Sequence, residues 1–229
     1  MSETQQKAPT KPRRRRRRAD GIATRERVLE VASSLFASGG YEATSLRQIA
    51  AASGIDIATL KYHFDDKAAL FAMVYEAGHA RFLEAISPHL QELEQASSKQ
   101  DVRAFIERLV SSMQRFVEEH LDFVRLVLFR LLEDSSDIIG LEDDLQAVAI
   151  GMMEERFQAL IARGVIAPID ARALVAFLIS SFAMWQVTAR VKKNWIGEPG
   201  IETGEGRLRS ERYFVTTITR LLGVEQGEE

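Results

Sequence analysis

The sequence predicts an all-α fold of about nine helices, opening with a three-helix N-terminal unit. From Thr24 onward apolar side chains recur three and four residues apart, the period of a helix with one buried face. Glycines that end helices and Ser or Asp residues that start them punctuate this pattern at helix-length intervals. Strand-like alternation bounded by hairpin turns is absent, and so is a repeat on the order of 20–50 residues.

Residues 1–20 hold Pro9, Pro12 and the run Arg13–Arg18 with almost nothing apolar, and are expected to form a disordered basic tail. In the first helix, Val28, Val31, Ala32, Leu35 and Phe36 share one face. Gly39-Gly40 ends it, because glycine accepts the left-handed conformation at a helix C-terminus. A short second helix runs from Ser45 to Ser53, where Ser45 and Gln48 have capping-box spacing. Gly54 breaks it. Asp56 caps a third helix over 57–63, and Asp66 caps a long fourth through about Leu93. Five more follow near 101–119, 122–134, 142–163, 170–195 and 207–222, with Asp101 and Asp170 where N-caps belong. Ser97-Ser98, Gly140, Gly164 with Pro168, and a loop over Gly197–Gly206 separate them.

Composition removes several classes of function. The chain has 229 residues, enough for one or two domains, and is 46% hydrophobic, enough for a sizeable core. It has no cysteine, which excludes disulfides, thiolate zinc sites and cysteine nucleophiles. The N-terminus lacks the apolar stretch of a secretory signal. The longest apolar run, Leu174–Met184, is interrupted by Ser180 and Ser181 and is shorter than the roughly 18–20 residues of a membrane span. A cytoplasmic protein with no membrane segment is therefore expected. His79, His89 and His120 lie on separate helical segments without metal-ligand spacing, and the Gly197–Gly206 glycines lack the Gly-Lys-Ser/Thr of a phosphate cradle. With no nucleophile–base–acid arrangement either, neither an enzyme nor a bound cofactor or metal is expected.

The net charge of −3 is unevenly spread. Residues 1–80 carry 13 Lys and Arg against 9 Asp and Glu, a net +4, while the remainder is −7. A basic segment on an acidic body points toward a polyanion. The six arginines alone make the difference, however, so a more specific feature is needed.

That feature is SLRQIAAASGIDIATLKYHF, residues 45–64. Two helices crossing over a tight turn need a small residue at the crossing, and Ala50 supplies it. The turn needs a residue at ease with positive φ, and Gly54 supplies it. Ile49, Ile55 and Leu60 hold the second helix against the first. The spacing Ala50–Gly54–Leu60 is that of a helix-turn-helix, whose second helix enters the DNA major groove. Leu60 and Phe64 then point inward, and Ala58 and Tyr62 outward. With the preceding FASGGYEATS and the following DDKAAL, the stretch from Thr24 to Leu70 resembles the TetR family of bacterial transcriptional regulators. The resemblance implies a helix-turn-helix domain over residues 21–80 and a ligand-binding and dimerisation domain over 81–229. Ile57, Ala58 and Thr59 match positions that face bases, as does Arg47 on the second helix. An arginine there suits guanine, while Ile57 and Ala58 suit thymine methyls. Lys61, Tyr62, His63 and Lys67 match positions that touch phosphates or brace the helix, and Ser45 completes the expected DNA-binding set. This chain departs from the family pattern at Lys61, where tyrosine is usual, at Ala58, where glycine is frequent, and at Asp65, where proline is frequent.

The body carries apolar stripes at helical spacing: Phe105, Leu109, Met113 and Phe116; Phe123, Val127 and Leu131; Met152, Met153, Phe157 and Leu160. Most are expected to be core. The resemblance implies an apolar ligand cavity between helices, and Phe105, Met113, Phe116, Phe123, Met153, Phe157, Phe177 and Trp185 are the expected lining. The helix over 170–195 is apolar nearly all round and needs cover on every side. The last helix has Leu208, Val215, Ile218 and Leu222 as one stripe. Together these two imply a homodimer, which places two recognition helices on a near-palindromic stretch of double-stranded DNA. The expectation is a repressor released by a small, mainly hydrophobic effector and associated with the nucleoid when bound. The alternative is a DNA-organising protein of the same fold that needs no ligand.

Overall fold

The computed structural model describes residues 12–130, 132, 141–191 and 203–225, excluding the side chains of 12–19, 141–146 and 189–191. Among the described residues there are nine α-helices and no strand. They are α1 (Pro12–Ala43), α2 (Leu46–Ala52), α3 (Ile57–His63), α4 (Lys67–Gln95), α5 (Lys99–Glu119), α6 (Leu121–Arg130), α7 (Leu141–Ala162), α8 (Ala171–Val191) and α9 (Gly204–Leu222).

The helix starts are set by short polar side chains that satisfy otherwise orphaned backbone N–H groups. The Ser45 hydroxyl accepts the N–H of Gln48 at 3.3 Å while the Gln48 carboxamide oxygen accepts the N–H of Ser45 at 2.8 Å, a complete capping box. Asp56 accepts the N–H of Thr59 at 2.6 Å, Asp66 that of Ala69 at 2.7 Å and Asp170 that of Ala173 at 2.9 Å. In α5 the cap lies earlier than expected. Ser98 is the N-cap, and Asp101 stands three residues in, accepting the N–H groups of Ser97 at 3.0 Å and Ser98 at 2.9 Å. These bonds, that from Ser97 first, hold the Asp101 carboxyl below its ordinary pKa. Likewise α9 is capped by Thr203 and begins at Gly204, inside the segment expected as a loop.

At the other end of the chain, α1 begins at Pro12, so the backbone of Arg13–Arg18 is helical where a disordered tail was expected. Proline is favoured at the first helical position and arginine is a good helix former, so the run extends a helix that tertiary packing stabilises further on. Gly40, at φ 81°, breaks α1 before a last turn to Ala43, as the Gly39-Gly40 pair predicts. Residues 1–11, the expected end of the sixth helix at 134, the Gly140 breaker, the extension of α8 to 195 and most of the Gly197–Gly206 loop lie outside the described residues.

Two cores result. The first joins Val28, Ala32 and Phe36 of α1, Ile49 and Ala50 of α2, Leu60 of α3 and Leu70, Phe71 and Tyr75 of α4. The second fills the body between the C-terminal part of α4, α5 and α7–α9, with Leu93, Phe105, Phe157, Phe182 and Phe214 among its members. Burying side chains of this size contributes about 1.5–3 kcal/mol each, which offsets the cost of ordering the chain. The helix α6 belongs to both. Leu126 is buried in the first core and Val124 in the second. Two residues turn a helix by about 200°, so α6 is held on opposite faces.

The apolar stretch of α8 is longer than expected: Ala171–Thr188 is 18 residues with a mean hydropathy of 1.3, long and apolar enough by composition to cross a membrane. Here one face, with Leu174, Val175 and Phe182, packs into the second core. The inner stripe of α9 is Gly206, Ser210, Phe214, Ile218 and Leu222, one buried residue per turn. Leu208, expected on that stripe, is exposed because it lies off this four-residue row.

Candidate nucleic-acid interface

The turn between α2 and α3 has the geometry its sequence requires. Ala50 is buried at the crossing, Gly54 has φ 65°, and the N–H of Ile55 bonds the carbonyl of Ala50 at 3.1 Å. Leu60 and Phe64, almost fully buried, pin α3 from one side. Its other side is left outward. Ile57, Ala58 and Lys61 are exposed, and Tyr62 is 86% exposed. An exposed tyrosine and isoleucine on one short helix forgo burial worth kilocalories, which suits a surface that meets a partner.

The expected DNA-binding residues divide in two. Arg47, Ile57, Ala58, Lys61 and Tyr62 are exposed around α2 and α3. The others have structural work. The Ser45 hydroxyl is engaged with Gln48. Thr59 is half-buried and bound to Asp56, whose carboxyl its backbone N–H, and then its hydroxyl, hold below the ordinary value. His63 is half-buried, with its ring 5.3 Å from that of Tyr62 and 6.3 Å from that of Phe64. Lys67 reaches back across the domain: its ammonium donates to the carbonyl of Tyr41 at 3.1 Å and sits 4.0 Å above the Tyr41 ring. That pairing of α4 with the end of α1 was not foreseen, because only the folded chain brings the two together.

The body contains two neighbouring cavities. One, of about 90 Å³, lies among α4, α5, α6, α7 and α8, with Met113, Phe116 and Phe123 in its wall. The other, of about 70 Å³, has Phe105, Met153 and Phe157 in its wall. Phe82, Met113 and Phe182 border both. Together they are on the scale of the engineered cavity of about 150 Å³ that admits benzene. Six of the eight residues expected to line a cavity therefore do so. Phe177 does not, being 60% exposed on the outer face of α8. Trp185 does not either; its ring stacks on that of Tyr213 at 5.2 Å, against α9. On a helix apolar all round, periodicity marks no inner face, and the residues of α8 that line the cavities are Phe182 and Ile179, with Ala183, Val175 and Leu178. Phe123 connects the cavity to α4, the helix that joins the body to the N-terminal unit. It lies on Gly78 of α4 so closely that a Cβ there would stand 2.0 Å from its ring.

Comparison with known proteins bears on the N-terminal unit and on the fold. Residues 28–74 match the family model described as bacterial regulatory proteins, tetR family. The chain is 34% identical over 70 residues to the HTH-type transcriptional regulator AcrR of Shigella flexneri, covering 31% of this chain and 33% of that protein. It is 32% identical over 94 residues to the HTH-type transcriptional repressor KstR2 of Rhodococcus jostii (strain RHA1), covering 41% and 43%. The chain thus spans less than half the length of both relatives in these matches. In fold the likeness is wider. The crystal structure of a TetR family transcriptional regulator, PfmR from Thermus thermophilus, aligns with a TM-score of 0.64 at 23% identity, covering 89% of this chain and 98% of that one.

Proposed function

We propose, from the premise that the N-terminal domain of this chain belongs to the TetR family, that the protein is a sequence-specific transcriptional regulator. It acts as a homodimer on a near-palindromic stretch of double-stranded DNA. The observation that carries the reading is α3: Leu60 and Phe64 lock one face, and Ile57, Ala58, Lys61 and Tyr62 stand outward on a helix slim enough for a major groove. Arg47 at the start of α2 meets a base edge. Lys61, assisted by Tyr62, meets phosphate. Such a protein works in the cytoplasm, at the nucleoid when bound.

One helix of this length reads few bases, so affinity for a unique site requires two, one or more helical turns apart at about 34–36 Å per turn. The dimer surface is the outer side of α8 and α9. Phe177 and Met184, two helical turns apart on α8, are exposed, and so are Tyr213 and Leu221 on α9. An apolar patch of this kind supports burial against a second copy.

We read the protein as a repressor released by a small, mainly apolar effector that occupies the body's cavities. An effector changes DNA affinity only if it binds one arrangement of the helices better than the other. Two contacts support such a difference here. Phe123 forms a wall of one cavity and rests directly on Gly78 of α4. The same helix places Leu126 in the core of the DNA-reading half. A ligand that displaces α6 therefore shifts α4 and the spacing of the two recognition helices. The cavities favour this reading over a DNA-organising protein that needs no ligand. Selection of genomic fragments by the purified protein at moderate salt, read by sequencing, tests the reading. A shared near-palindromic site is expected. Uniform, strongly salt-sensitive recovery would refute sequence-specific regulation.

A further inference from the structure

The walls of the two cavities contain no Asp, Glu, Lys or Arg among the described residues. A charged ligand would be stripped of water there without a counter-charge. Beside this apolar space lies a polar layer. On α5, Val110, Gln114 and Val117 share one face; Val110 lines the smaller cavity and Val117 the larger. One turn beyond Phe182 on α8 stands Gln186, and one turn before Phe214 on α9 stands Ser210. Phe182 and Phe214 are in contact at 4.9 Å, and the next level is fixed by the ion pair of Glu118 on α5 with Arg207 on α9 at 3.5 Å. In this register Gln114, Gln186 and Ser210 occupy one level between α5, α8 and α9.

All three are buried, at 1%, 1% and 2% exposure. Among the described residues, both polar atoms of each carboxamide and the hydroxyl of Ser210 have no hydrogen-bond partner. Buried polar groups are nearly always paired, so five unpaired atoms on three residues that the register sets at one level call for a partner beyond the protein's own groups, water or ligand. The outer groove between α5 and α9, where Ser111, Glu118 and Arg207 lie, also reaches Gln114. The register thus places the polar layer beside the apolar cavities, behind the walls that Val110 and Val117 form, with Gln114 reaching the groove.

We infer that Gln114, Gln186 and Ser210 form the head-group subsite of the effector cavity. The effector is then an uncharged amphiphile, an apolar tail carrying a hydroxyl or carboxamide that both donates and accepts hydrogen bonds, and neither a carboxylate nor a cation. The inference rests on the cavity reading above. Carboxamides and a hydroxyl offer donors and acceptors in equal measure without charge, which matches such a head. Of the charges in the same groove, Glu118 and Arg207 are paired with each other, Arg115, which follows Gln114, is exposed, and Glu211, which follows Ser210, is half-buried.

The test is calorimetric titration of the full chain with four six-carbon probes: 1-hexanol, hexanamide, hexanoate and 1-chlorohexane. The alcohol and the amide are expected to bind about tenfold or more tighter than the other two, the value of one or two well-made hydrogen bonds. In the double variant Gln114→Met/Gln186→Met, alcohol and amide fall to the level of chlorohexane, which is itself unchanged. The variant's urea midpoint holds or rises, since unpaired polar atoms have been removed. Ser210→Ala gives a smaller loss of the same kind. Equal binding of hexanol, hexanoate and chlorohexane to the native chain, or undiminished hexanol binding by a folded double variant, would overturn the subsite and leave the cavity standing. Failure of all four probes to bind would overturn the cavity reading and this inference with it.

Discussion

Replacing Gly78 with alanine tests the contact on which effector coupling depends. In an exposed helix interior the change would stabilise by about 1 kcal/mol, because alanine is the better helix former. At Gly78 the added Cβ would lie 2.0, 2.4 and 2.6 Å from three atoms of the Phe123 ring. Carbon atoms in contact prefer about 3.5–4.0 Å, so the ring must retreat by about 1.5 Å. It cannot retreat sideways freely, since its ring is 5.8 Å from that of Tyr75 and 6.2 Å from that of Phe116. The open direction is the cavity it lines. Overpacking of this kind costs about 1–3 kcal/mol, so Gly78→Ala is expected to be neutral or to destabilise by up to about 2 kcal/mol. In a Phe123→Ala background the clash is gone and the gain of about 1 kcal/mol returns. The coupling in a double-mutant cycle is therefore about 1–3 kcal/mol. Urea unfolding at one fixed protein concentration measures it, since a dimer's stability depends on concentration. Equal stabilisation by Gly78→Ala in both backgrounds would refute the close contact and, with it, the proposed route from cavity to α4.

The remaining predictions concern the interface, the caps and the dimer. Arg47→Ala is expected to weaken a selected site by about 10- to 100-fold and to relax preference at one position, whereas Lys61→Ala weakens all sequences alike and lowers the salt slope by about 1; anisotropy titrations at several salt concentrations separate the two, and an unchanged slope would remove Lys61 from phosphate. Deleting residues 1–18 flattens the same plot if the arginine run neutralises phosphates, and an unaltered slope would refute that. Because the folded chain holds the Asp56 carboxyl below 3.8, mainly through the Thr59 N–H, its contribution is present above that pH and lost as pH falls through the folded value. Asp56→Ala therefore lowers Tm at pH 7, Asp56→Asn much less, and the alanine variant's deficit closes in strong acid; a deficit independent of pH would refute the charged cap. Phe177→Glu with Met184→Glu is expected to yield folded monomers by sedimentation and circular dichroism, and a persistent dimer would move the interface off α8.

The fold of the N-terminal unit was legible in the sequence, because its signals are local. Ser45 with Gln48, Asp56, Asp66 and Gly54 act within three or four residues of themselves, through backbone bonds or backbone conformation. Leu60 and Phe64 follow from periodicity. The body was less legible because its determinants are distant partners. The residues Phe177 and Phe182 are chemically identical and five apart on a helix apolar all round; only α9 decides that Phe182 turns inward, against Phe214. Lys67 has partners that the sequence did not reveal, for the same reason. Its neighbours in sequence suggest a phosphate site at a helix start, while its neighbours in space are the carbonyl and ring of Tyr41.

The helix α6 is where the local and distant signals conflict, and that conflict has a functional meaning. A ten-residue helix with apolar side chains on two opposite faces is not oriented by the one stripe of Phe123, Val127 and Leu131 that the sequence spacing marks. In the fold the ambiguity is resolved by burying both faces, Val124 toward the body and Leu126 toward the DNA-reading half. Close packing makes such an element unable to move against one neighbour without repacking the other. A helix built for one core alone would insulate the recognition helix from the cavity. Because α6 serves two cores, and because Phe123 on it abuts Gly78, the proposed switch needs only steric contact to pass a change of cavity occupancy to α4, without a flexible hinge or a chain of hydrogen bonds.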